Sequence, residues 1–302
     1  FSKAGLKNGF FDTRGTMFFE IQRILAAKQP KVFLLENVKQ LKGHNKGETL
    51  DTILKILRGE NINAIPEDIP MSEEARKSLK AKLNYIVDYR VLSSNNFGVP
   101  QRRERIYLVG FNKKYFSGGE TTRHIYEIFS SLEKRRSITC LGNILEKNLE
   151  VPEKYTISNK LLEGHERRKK QHKERGNGFG YSVFNTKSQY CNTISARYYK
   201  DGSEILIDQS EIGKNPRKLT PRECARIQGY PDNFIVDAVS DNQIYKQFGN
   251  SVSVPVIKEI ASKIIDIYLY SSKDTHSHVN SMDETSFFSR FGKLFSSIFK
   301  RS

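Results

Sequence analysis

The sequence predicts an α/β fold built on a mostly parallel sheet, and two observations near its start support that prediction. Apolar residues recur at helical spacing from Thr16 to Lys28, and Pro30 ends this stretch because proline cannot continue a helix. A short apolar run, Lys31–Leu35, follows and has the length of a buried strand. Strands that alternate with helices are typical of a parallel sheet with helical crossovers.

The next elements continue this alternation. The sequence predicts an amphipathic helix over Glu48–Leu57 and a charged helix over Ser72–Lys82. Apolar runs predict strands over Tyr85–Leu92 and Arg105–Phe111. In open parallel sheets, catalytic and ligand-binding groups lie at the carboxyl ends of the strands. We therefore expect Glu36, directly after the first strand, to lie at such an end.

The pattern loosens after this first domain. Basic clusters, glycine-rich turns and short strands predict a smaller, irregular domain over residues 118–244. The apolar helix predicted over Val254–Tyr268 returns to the first domain, which therefore comprises residues 1–117 and 245–270. Residues 271–302 form a polar tail that ends in a helical apolar stripe flanked by basic residues. Such a stripe binds a membrane surface or partner, packs on its own protein, or stays unstructured.

The chain is strongly basic, because 50 Lys and Arg against 34 Asp and Glu give a net charge of +16. Such an excess attracts polyanions, above all nucleic acids, although a basic soluble enzyme without such a partner has the same charge. No apolar run approaches the roughly 20 residues that span a bilayer, so no membrane partner is expected. Cys140, Cys191 and Cys224 lack the spacing of a metal site, so we expect reduced thiols and no metal.

Four stretches carry a resemblance to a known family: Phe1–Gly5 with Asp12–Thr16, Glu36–Val38, the QRRER run Gln101–Arg105, and the paired blocks Arg217–Phe234 and Tyr245–Val256. In their order and spacing they resemble the later motifs of bacterial cytosine-5 DNA methyltransferases, and the resemblance spans Phe1 to Tyr268. It implies a partial S-adenosylmethionine-dependent, Rossmann-like catalytic domain, of the restriction-modification type, with an inserted target-recognition domain.

The resemblance implies a mechanism in which a cysteine thiolate adds to carbon 6 of a cytosine held outside the double helix. Glu36 is then the acid at ring nitrogen 3, and Asn37 helps to hold its loop. Arg103 and Arg105 would grip the cytosine oxygen and flanking phosphates from one side of a strand, since alternate residues of a strand share a face. The plainer alternatives are an ordinary loop carboxylate at Glu36 and surface charges at the two arginines.

The methyl donor implied by the family is S-adenosylmethionine. The Phe248–Val252 motif resembles the one that closes the donor pocket, with Asn250, Ser251 and Val252 as the binding residues. A plain loop glycine at Gly249 is the alternative.

The Arg217–Phe234 block resembles the scaffold that orients the DNA-reading region. Its Arg222, Glu223 and Arg226 are expected to form structural ion pairs rather than to read bases. Cys224 lies in the middle of a predicted helix of this block, so it is not a candidate nucleophile.

The region between these motifs is expected to read double-stranded DNA. Gly176–Phe184 and Thr193–Asp208 resemble the branch that reads CCGG, CCNGG or CCWGG sites and methylates the inner cytosine. Residues of the second stretch combine base-edge with phosphate chemistry, although a polar strand and turn would have the same composition. The candidate DNA contacts are Arg197, Tyr198, Tyr199 and Lys200.

The chain departs from the family at its start. The family's nucleophile lies in a Pro-Cys-Gln-x-Phe-Ser block, and the sequence opens at Phe-Ser, so the cysteine is expected just ahead of Phe1. Alone, the chain is expected neither to methylate DNA nor to bind the donor well.

Three accounts are open: a truncated or frameshifted sequence, half of a split enzyme completed by a second polypeptide, or a non-catalytic DNA-binding module. Retention of Glu36, Arg103, Arg105 and Asn250 favours the first two, because a binding module has no use for these residues. A bacterial or phage cytoplasm is the expected location.

Overall fold

The computed structural model describes most of the chain. The motif stretches Phe1–Gly5 and Asp12–Thr16 and the apolar stripe of the tail lie outside the described residues. The described residues are 17–275 with the exception of 62–64, 66, 68, 117–118, 177 and 179.

The chain divides into two compact units, which are described separately below. Most of residues 118–244 belong to the second unit, and their action as a separate recognition domain stays a prediction. The first unit comprises the described residues up to Ser93 with those of Glu104–Arg135 and Ser262–Lys273, and the second comprises the described residues of Ser94–Arg103 and Arg136–Ala261 and those from Asp274.

The helices and strands of the first unit follow the predicted alternation. Each predicted helix and strand is present, because its apolar face is buried against the rest of the unit. A 3-10 segment, Lys39–Gly47, joins the first strand to the second helix. The elements are α1 (Met17–Lys28), β1 (Val32–Val38), α2 (Glu48–Arg58), α3 (Glu73–Ser78), β2 (Tyr85–Ser93), β3 (Glu104–Asn112) and α4 (Gly119–Glu133).

Helix α3 is shorter than the predicted Ser72–Lys82. Ser72 is its N-cap, and the Ser72 hydroxyl accepts a hydrogen bond from the Ala75 N–H at 3.1 Å. Ala75 is the buried residue of this helix. The charged residues after Ser78 bury little apolar surface, so packing does not extend the helix over them.

The sheet of the first unit has the strand order β1-β3-β2, and both neighbouring pairs are antiparallel. The prediction of a mostly parallel sheet is therefore wrong for the described residues. Strands β1 and β2 do run parallel to each other, since both are antiparallel to β3, but β3 lies between them. Residues 94–103, which join β2 to β3, contain a single 3-10 turn and are too few for the helical crossover of about a dozen residues that parallel neighbours need.

An apolar core holds the helices α1, α2 and α3 against this sheet. Phe19, Leu57 and Ile106 are fully buried in it. Burial of a side chain of this size contributes about 1.5–3 kcal/mol. The core therefore fixes β1 and β3, the strands that carry Glu36 and Arg105.

The second unit contains little regular structure, as predicted. Its core surrounds Tyr198, Leu219 and Tyr245, all buried, and the rings of Tyr198 and Tyr245 pack edge to face with centroids 5.2 Å apart. Strands β4 and β5 form a short parallel pair. The elements are α5 (Asn159–Glu174), β4 (Val183–Phe184), α6 (Tyr198–Asp201), β5 (Leu206–Ile207), α7 (Pro221–Ile227) and α8 (Asp241–Asn250).

The last helix, α9 (Val254–Thr275), begins at the predicted residue and extends beyond the predicted end at Tyr268. Its residues up to Ala261 belong to the second unit, and those from Ser262 to Lys273 belong to the first. Within the part of the chain that the structure describes, no helix combines the length and the apolar character needed to cross a membrane.

Candidate functional site

Glu36 and Arg105 form an ion pair on one face of the sheet in the first unit. Glu36 lies opposite Tyr107 in the register of β1 and β3, and Arg105 is two residues from Tyr107 along β3. Residues in this diagonal relation lie on the same face of a sheet. The Arg105 Nε lies 3.0 Å from Glu36 Oε1, and the two side chains are 15% and 28% exposed. A half-buried carboxyl group is thus held beside a fixed guanidinium.

The backbone around Glu36 differs from the prediction in one respect. Strand β1 continues to Val38, so Glu36 lies within the strand and not after its end. The side chain of Asn37 accepts a hydrogen bond from the Val38 N–H at 2.8 Å, just before the 3-10 segment begins. The Asn37 side chain therefore stabilises the point where the chain leaves the sheet.

Arg103 lies in the second unit, ahead of the first residue of β3, Glu104. The prediction that Arg103 and Arg105 share one face of a strand is therefore wrong, because only Arg105 is in the strand. The Arg103 side chain is 4% exposed, and its guanidinium donates hydrogen bonds to backbone carbonyls. The acceptors are the carbonyl oxygens of Ile194 at 3.1 Å, Gly249 at 3.2 Å and Ser251 at 2.7 Å.

Two buried glutamines of the second unit, Gln101 and Gln228, extend this set of contacts, and neither was predicted as a site residue. The Gln101 amide donates to the Ile227 carbonyl at 3.0 Å and accepts from the Ile194 N–H at 2.9 Å. The Gln228 amide donates to the Phe248 carbonyl at 2.7 Å. Gln101 is the first residue of the QRRER run, and this position in the motif is the sequence feature that could have identified it. Together with Arg103, these glutamines fix the backbone of residues 248–251.

Gly249 allows the 248–251 backbone to approach residues 195–196 closely. A Cβ atom at Gly249 would lie 2.3 Å from the carbonyl group of Ser195 and from the amide nitrogen of Ala196. The glycine is therefore required for packing within this unit.

A Gly249→Ala substitution is expected to destabilise the second unit by about 1–3 kcal/mol, because the added methyl overlaps backbone that cannot rotate away. Gly164→Ala is the matched control, since Gly164 is also helical and has open space around its Cβ position. Alanine there should raise stability by up to about 1 kcal/mol. Urea unfolding followed by circular dichroism measures both, and equal midpoints for the two variants would contradict the packing role.

The side chains of the predicted donor-binding residues differ in availability. Asn250 is exposed, and its amide makes no hydrogen bond to other described residues. The Ser251 hydroxyl lies 2.7 Å from the Tyr230 hydroxyl, and Val252 is half-buried. Of the three, Asn250 has the side chain that is free to bind a ligand.

The side chains of the four predicted DNA contacts also differ in exposure. Tyr198 is fully buried, and its hydroxyl donates to the Ile205 carbonyl at 2.7 Å and accepts from the Leu219 N–H at 2.8 Å. Tyr198 therefore belongs to the core of the second unit. Arg197 and Lys200 are exposed, while Tyr199 is half-buried.

Comparison with known proteins identifies the family. The chain matches the C-5 cytosine-specific DNA methylase family over residues 1–63 and 73–266. The chain belongs to the C-5 cytosine-specific DNA methylase family. The family predicted from the motifs is thereby confirmed.

Two relatives are the Type II methyltransferase M1.ScrFI of Lactococcus lactis subsp. cremoris, 50% identical over 90% of this chain, and the Type II methyltransferase M.SsoII of Shigella sonnei, 52% identical over 88%. The chain spans 61% of the length of each. The crystal structure of the S. pombe Dnmt2 methyltransferase matches with a TM-score of 0.57 and 18% identity, covering 84% of this chain and 74% of the other. The predicted α/β methyltransferase fold is confirmed.

The Arg217–Phe234 block of this family member contains a fully buried ion pair. The guanidinium of Arg217 donates to both carboxylate oxygens of Glu223 at 2.8 Å, and neither side chain is exposed. Glu223 also accepts from the backbone N–H groups of Thr220 and Glu146, each at 2.8 Å. The capping box that Glu223 forms with Thr220 begins α7.

The predicted structural ion pairs of this block are confirmed for Glu223 and for Arg226, whose Nε lies 2.7 Å from Asp232 Oδ1. Arg222 forms no ion pair within the described residues. Cys224 lies inside α7 as predicted, and burial raises the pKa of its thiol well above the ordinary value. Burial also raises the pKa of Cys191, so neither thiol is suited to be a nucleophile. Among the described residues, no three His, Cys, Asp or Glu side chains are grouped so that they could hold a metal ion.

His165 connects α5 to α6 within the second unit. Its Nε2 donates to the Asp201 carbonyl at 3.2 Å, and its Nδ1 accepts from the Arg168 guanidinium at 2.8 Å. The ring stacks on Tyr181 with centroids 5.5 Å apart. Burial lowers the pKa of His165 below its ordinary value of 6.5, so the neutral imidazole is the folded form.

The second unit is expected to lose stability as the pH falls below 6.5, because the unfolded chain then binds a proton at His165 that the folded chain excludes. A proton on Nδ1 would face the Arg168 donor, and the Asp201 carboxylate does not outweigh burial. Measuring the unfolding midpoint from pH 7.5 to 5 tests this. His165→Gln should flatten the acid side of the profile, and an unchanged slope would contradict the assignment.

Proposed function

We propose that the protein to which this chain belongs methylates carbon 5 of cytosine in duplex DNA, as part of a bacterial or phage restriction-modification system. The observation that carries the proposal is the Glu36–Arg105 pair, in which the carboxyl group is 28% exposed beside a guanidinium at 3.0 Å. Such a pair holds the carboxyl group in a fixed position, in which it can exchange a proton with a bound substrate. A protein that only bound DNA would have no need of it.

Glu36 is assigned to the proton transfer at cytosine nitrogen 3. The Glu36 carboxylate of the ion pair takes up a proton from solvent when the cytosine binds. When a thiolate adds to carbon 6, an electron pair moves through the ring to nitrogen 3, and Glu36 delivers this proton there. The product is a neutral enamine whose carbon 5 is nucleophilic. The Glu36 carboxylate left behind is stabilised by Arg105. Cys191 and Cys224 are unsuited to supply the thiolate because both are buried.

S-adenosylmethionine supplies the electrophilic methyl group, which it carries on a sulfonium sulfur. Carbon 5 of the enamine takes the methyl group, and the electron pair of the broken bond stays on that sulfur. A base then removes the carbon 5 proton, the thiolate leaves carbon 6, and nitrogen 3 returns its proton to Glu36. Atoms and charge balance, and Glu36 ends the cycle protonated.

The remaining residues are assigned to binding and positioning. Arg105 is proposed to contact the cytosine as well as Glu36, and Asn37 to hold the backbone that follows. Asn250 is the residue of its motif that fits the methyl donor, because its amide is exposed and otherwise unpaired among the described residues. Arg103 is a positioning residue for the Asn250 backbone, because it binds the carbonyls on either side.

The DNA sequence is proposed to be read by the segment that carries Arg197, Tyr199 and Lys200, whose side chains are exposed or half-buried. The site class is CCGG, CCNGG or CCWGG with methylation of the inner cytosine, on the resemblance of the surrounding sequence. A second polypeptide that completes the enzyme remains one arrangement within this proposal.

The test is methyl transfer by the protein expressed with any sequence that its gene encodes ahead of Phe1. Tritiated S-adenosylmethionine is incubated with duplexes that contain CCGG, CCNGG or CCWGG and with a duplex that lacks all three. The expected product is 5-methylcytosine at the inner cytosine of one site class. Incorporation at the exocyclic nitrogen of cytosine, or none in any duplex, would overturn the proposal.

A further inference from the structure

Helix α5 of the second unit is held on one side and exposed on the other. His165 is its buried residue, and the contacts of the helix with the rest of the unit include those of Asn159, His165, Arg168 and Lys169. The Arg168 guanidinium donates to the Asp201 carboxylate at 3.2 Å. A helix of this length usually buries a whole apolar stripe. The exposed side of α5 is therefore open to a partner outside this unit.

The end of α5 concentrates positive charge. The segment from Arg167 to Arg175 contains six Lys and Arg side chains, including those at its two ends, and one carboxylate. Arg168 is paired with Asp201, and Lys169 lies 4.8 Å from the centre of the Tyr181 ring. The other basic residues form no ion pair within the described residues. The basic cluster consists of the exposed residues Arg167, Lys169, Lys170, Lys173 and Arg175.

The basic cluster is fixed to the segment proposed to read the DNA. Asp201, which accepts from both His165 and Arg168, is the last residue of α6, and α6 carries Tyr199 and Lys200. The position of the cluster relative to that segment is thus set by hydrogen bonds to the same residue. Unneutralised cations on a fixed helix complement the regularly spaced phosphates of a duplex.

We propose that the basic cluster of α5 binds the phosphate backbone of duplex DNA beside the site read by the α6 segment, an inference that rests on the proposed function. It supplies affinity that is independent of base sequence and sets the orientation of the second unit on the duplex. Base discrimination stays with the α6 segment.

The test compares two triple variants of the full chain. The first, Arg167→Gln with Lys170→Gln and Lys173→Gln, removes three charges of the basic cluster. The control removes three exposed charges of the first unit, by Lys77→Gln, Lys80→Gln and Lys82→Gln. Both sets are on the surface, and circular dichroism checks that each variant folds. Fluorescence anisotropy measures the affinity for a CCWGG duplex, an unrelated DNA duplex and an RNA duplex at several salt concentrations.

The first variant is expected to bind both DNA duplexes about 10- to 100-fold more weakly at about 0.1 M salt. The slope of log affinity against log salt should decrease by about 2 to 3, since each lost phosphate contact contributes about 0.9. The control should bind like the unmodified protein. Equal effects of the two variants, or an effect confined to the RNA duplex, would overturn the inference. If the unmodified protein binds no DNA duplex, the proposed function fails as well, whereas DNA binding that is insensitive to the first variant overturns this inference alone.

Discussion

Replacement of Glu36 by glutamine is expected to lower the rate of methyl transfer by about 10²–10⁴-fold, the range typical of a lost general acid. Glutamine has nearly the same shape, and its carbonyl oxygen can still accept from Arg105, so the sheet should remain folded. It has no proton to give to nitrogen 3. The loss should therefore appear in the rate of the chemical step, with DNA affinity unchanged. Single-turnover methylation by the protein, expressed with any sequence that its gene encodes ahead of Phe1, measures this.

Glu104→Gln is the matched control for this experiment. Glu104 lies on β3, is also 28% exposed and also pairs with a cation, Lys39. It differs from Glu36 in having no proposed role in proton transfer. A similar loss of rate in both variants would mean that the carboxylates act by stabilising the sheet. A Glu36→Gln enzyme as fast as the unmodified one would contradict the assignment of the acid.

Replacement of Arg217 by methionine is expected to destabilise the second unit by about 3–5 kcal/mol, because it leaves the Glu223 carboxylate buried without its counter-charge. This is a large part of the roughly 5–15 kcal/mol by which a typical domain is stable. Two backbone donors would remain on Glu223, from Thr220 and Glu146, and they satisfy hydrogen bonds without neutralising the charge. The chain has no Trp, so urea unfolding is best followed by far-UV circular dichroism.

Arg226→Met is the matched control, since Arg226 belongs to α7 and also pairs with a carboxylate, that of Asp232. That pair is largely exposed, with Asp232 at 66%, so solvent screens it and its loss should be much less costly. Arg217→Lys should fall between the two, because an ammonium group cannot donate to both carboxylate oxygens in the fork geometry of a guanidinium. If Arg217→Met were no worse than Arg226→Met, the buried pair would not stabilise the unit.

Loss of the Arg217 pair is also expected to loosen the DNA-reading segment. The Arg217 backbone exchanges hydrogen bonds with Ile207 at 2.8 and 2.9 Å, and the N–H of Leu219 donates to the Tyr198 hydroxyl. Tyr198 is the first residue of α6, the helix that carries Tyr199 and Lys200. The pair therefore connects the stability of this unit to the geometry of its proposed contacts with DNA.

Local patterns were sufficient to predict the elements of the first unit from α1 to β3, whereas α4 lies in the stretch predicted to be irregular. The spacing of apolar residues depends on which face of a single helix or strand is buried, so it can be read within one segment. Helices α1 and α2 and strands β2 and β3 therefore lie close to their predicted positions. The order of the strands depends on pairing between distant segments, and the position of β3 between β1 and β2 made the sheet antiparallel.

For the proposed site, too, some features were predicted from the sequence and others required the structure. The motifs singled out Glu36 and Arg105, and the sheet register then placed them 3.0 Å apart. Arg103 belongs to the same motif, yet its partners are 91, 146 and 148 residues away along the chain. No local pattern contains that information, so the positioning role proposed for Arg103 could be inferred only from the fold.

The sequence by itself determined the family, the α/β class and the residue types available for acid catalysis and for DNA binding, because motifs and charge are properties of the chain. Only the tertiary structure decided which of these side chains remain accessible for catalysis or DNA binding. Tyr198 and Tyr199 are neighbours of identical chemistry, but Tyr198 is fully buried with its hydroxyl bonded twice, while Tyr199 is half-buried. A tyrosine is stable in either setting when its hydroxyl finds a partner, and only packing decides between them.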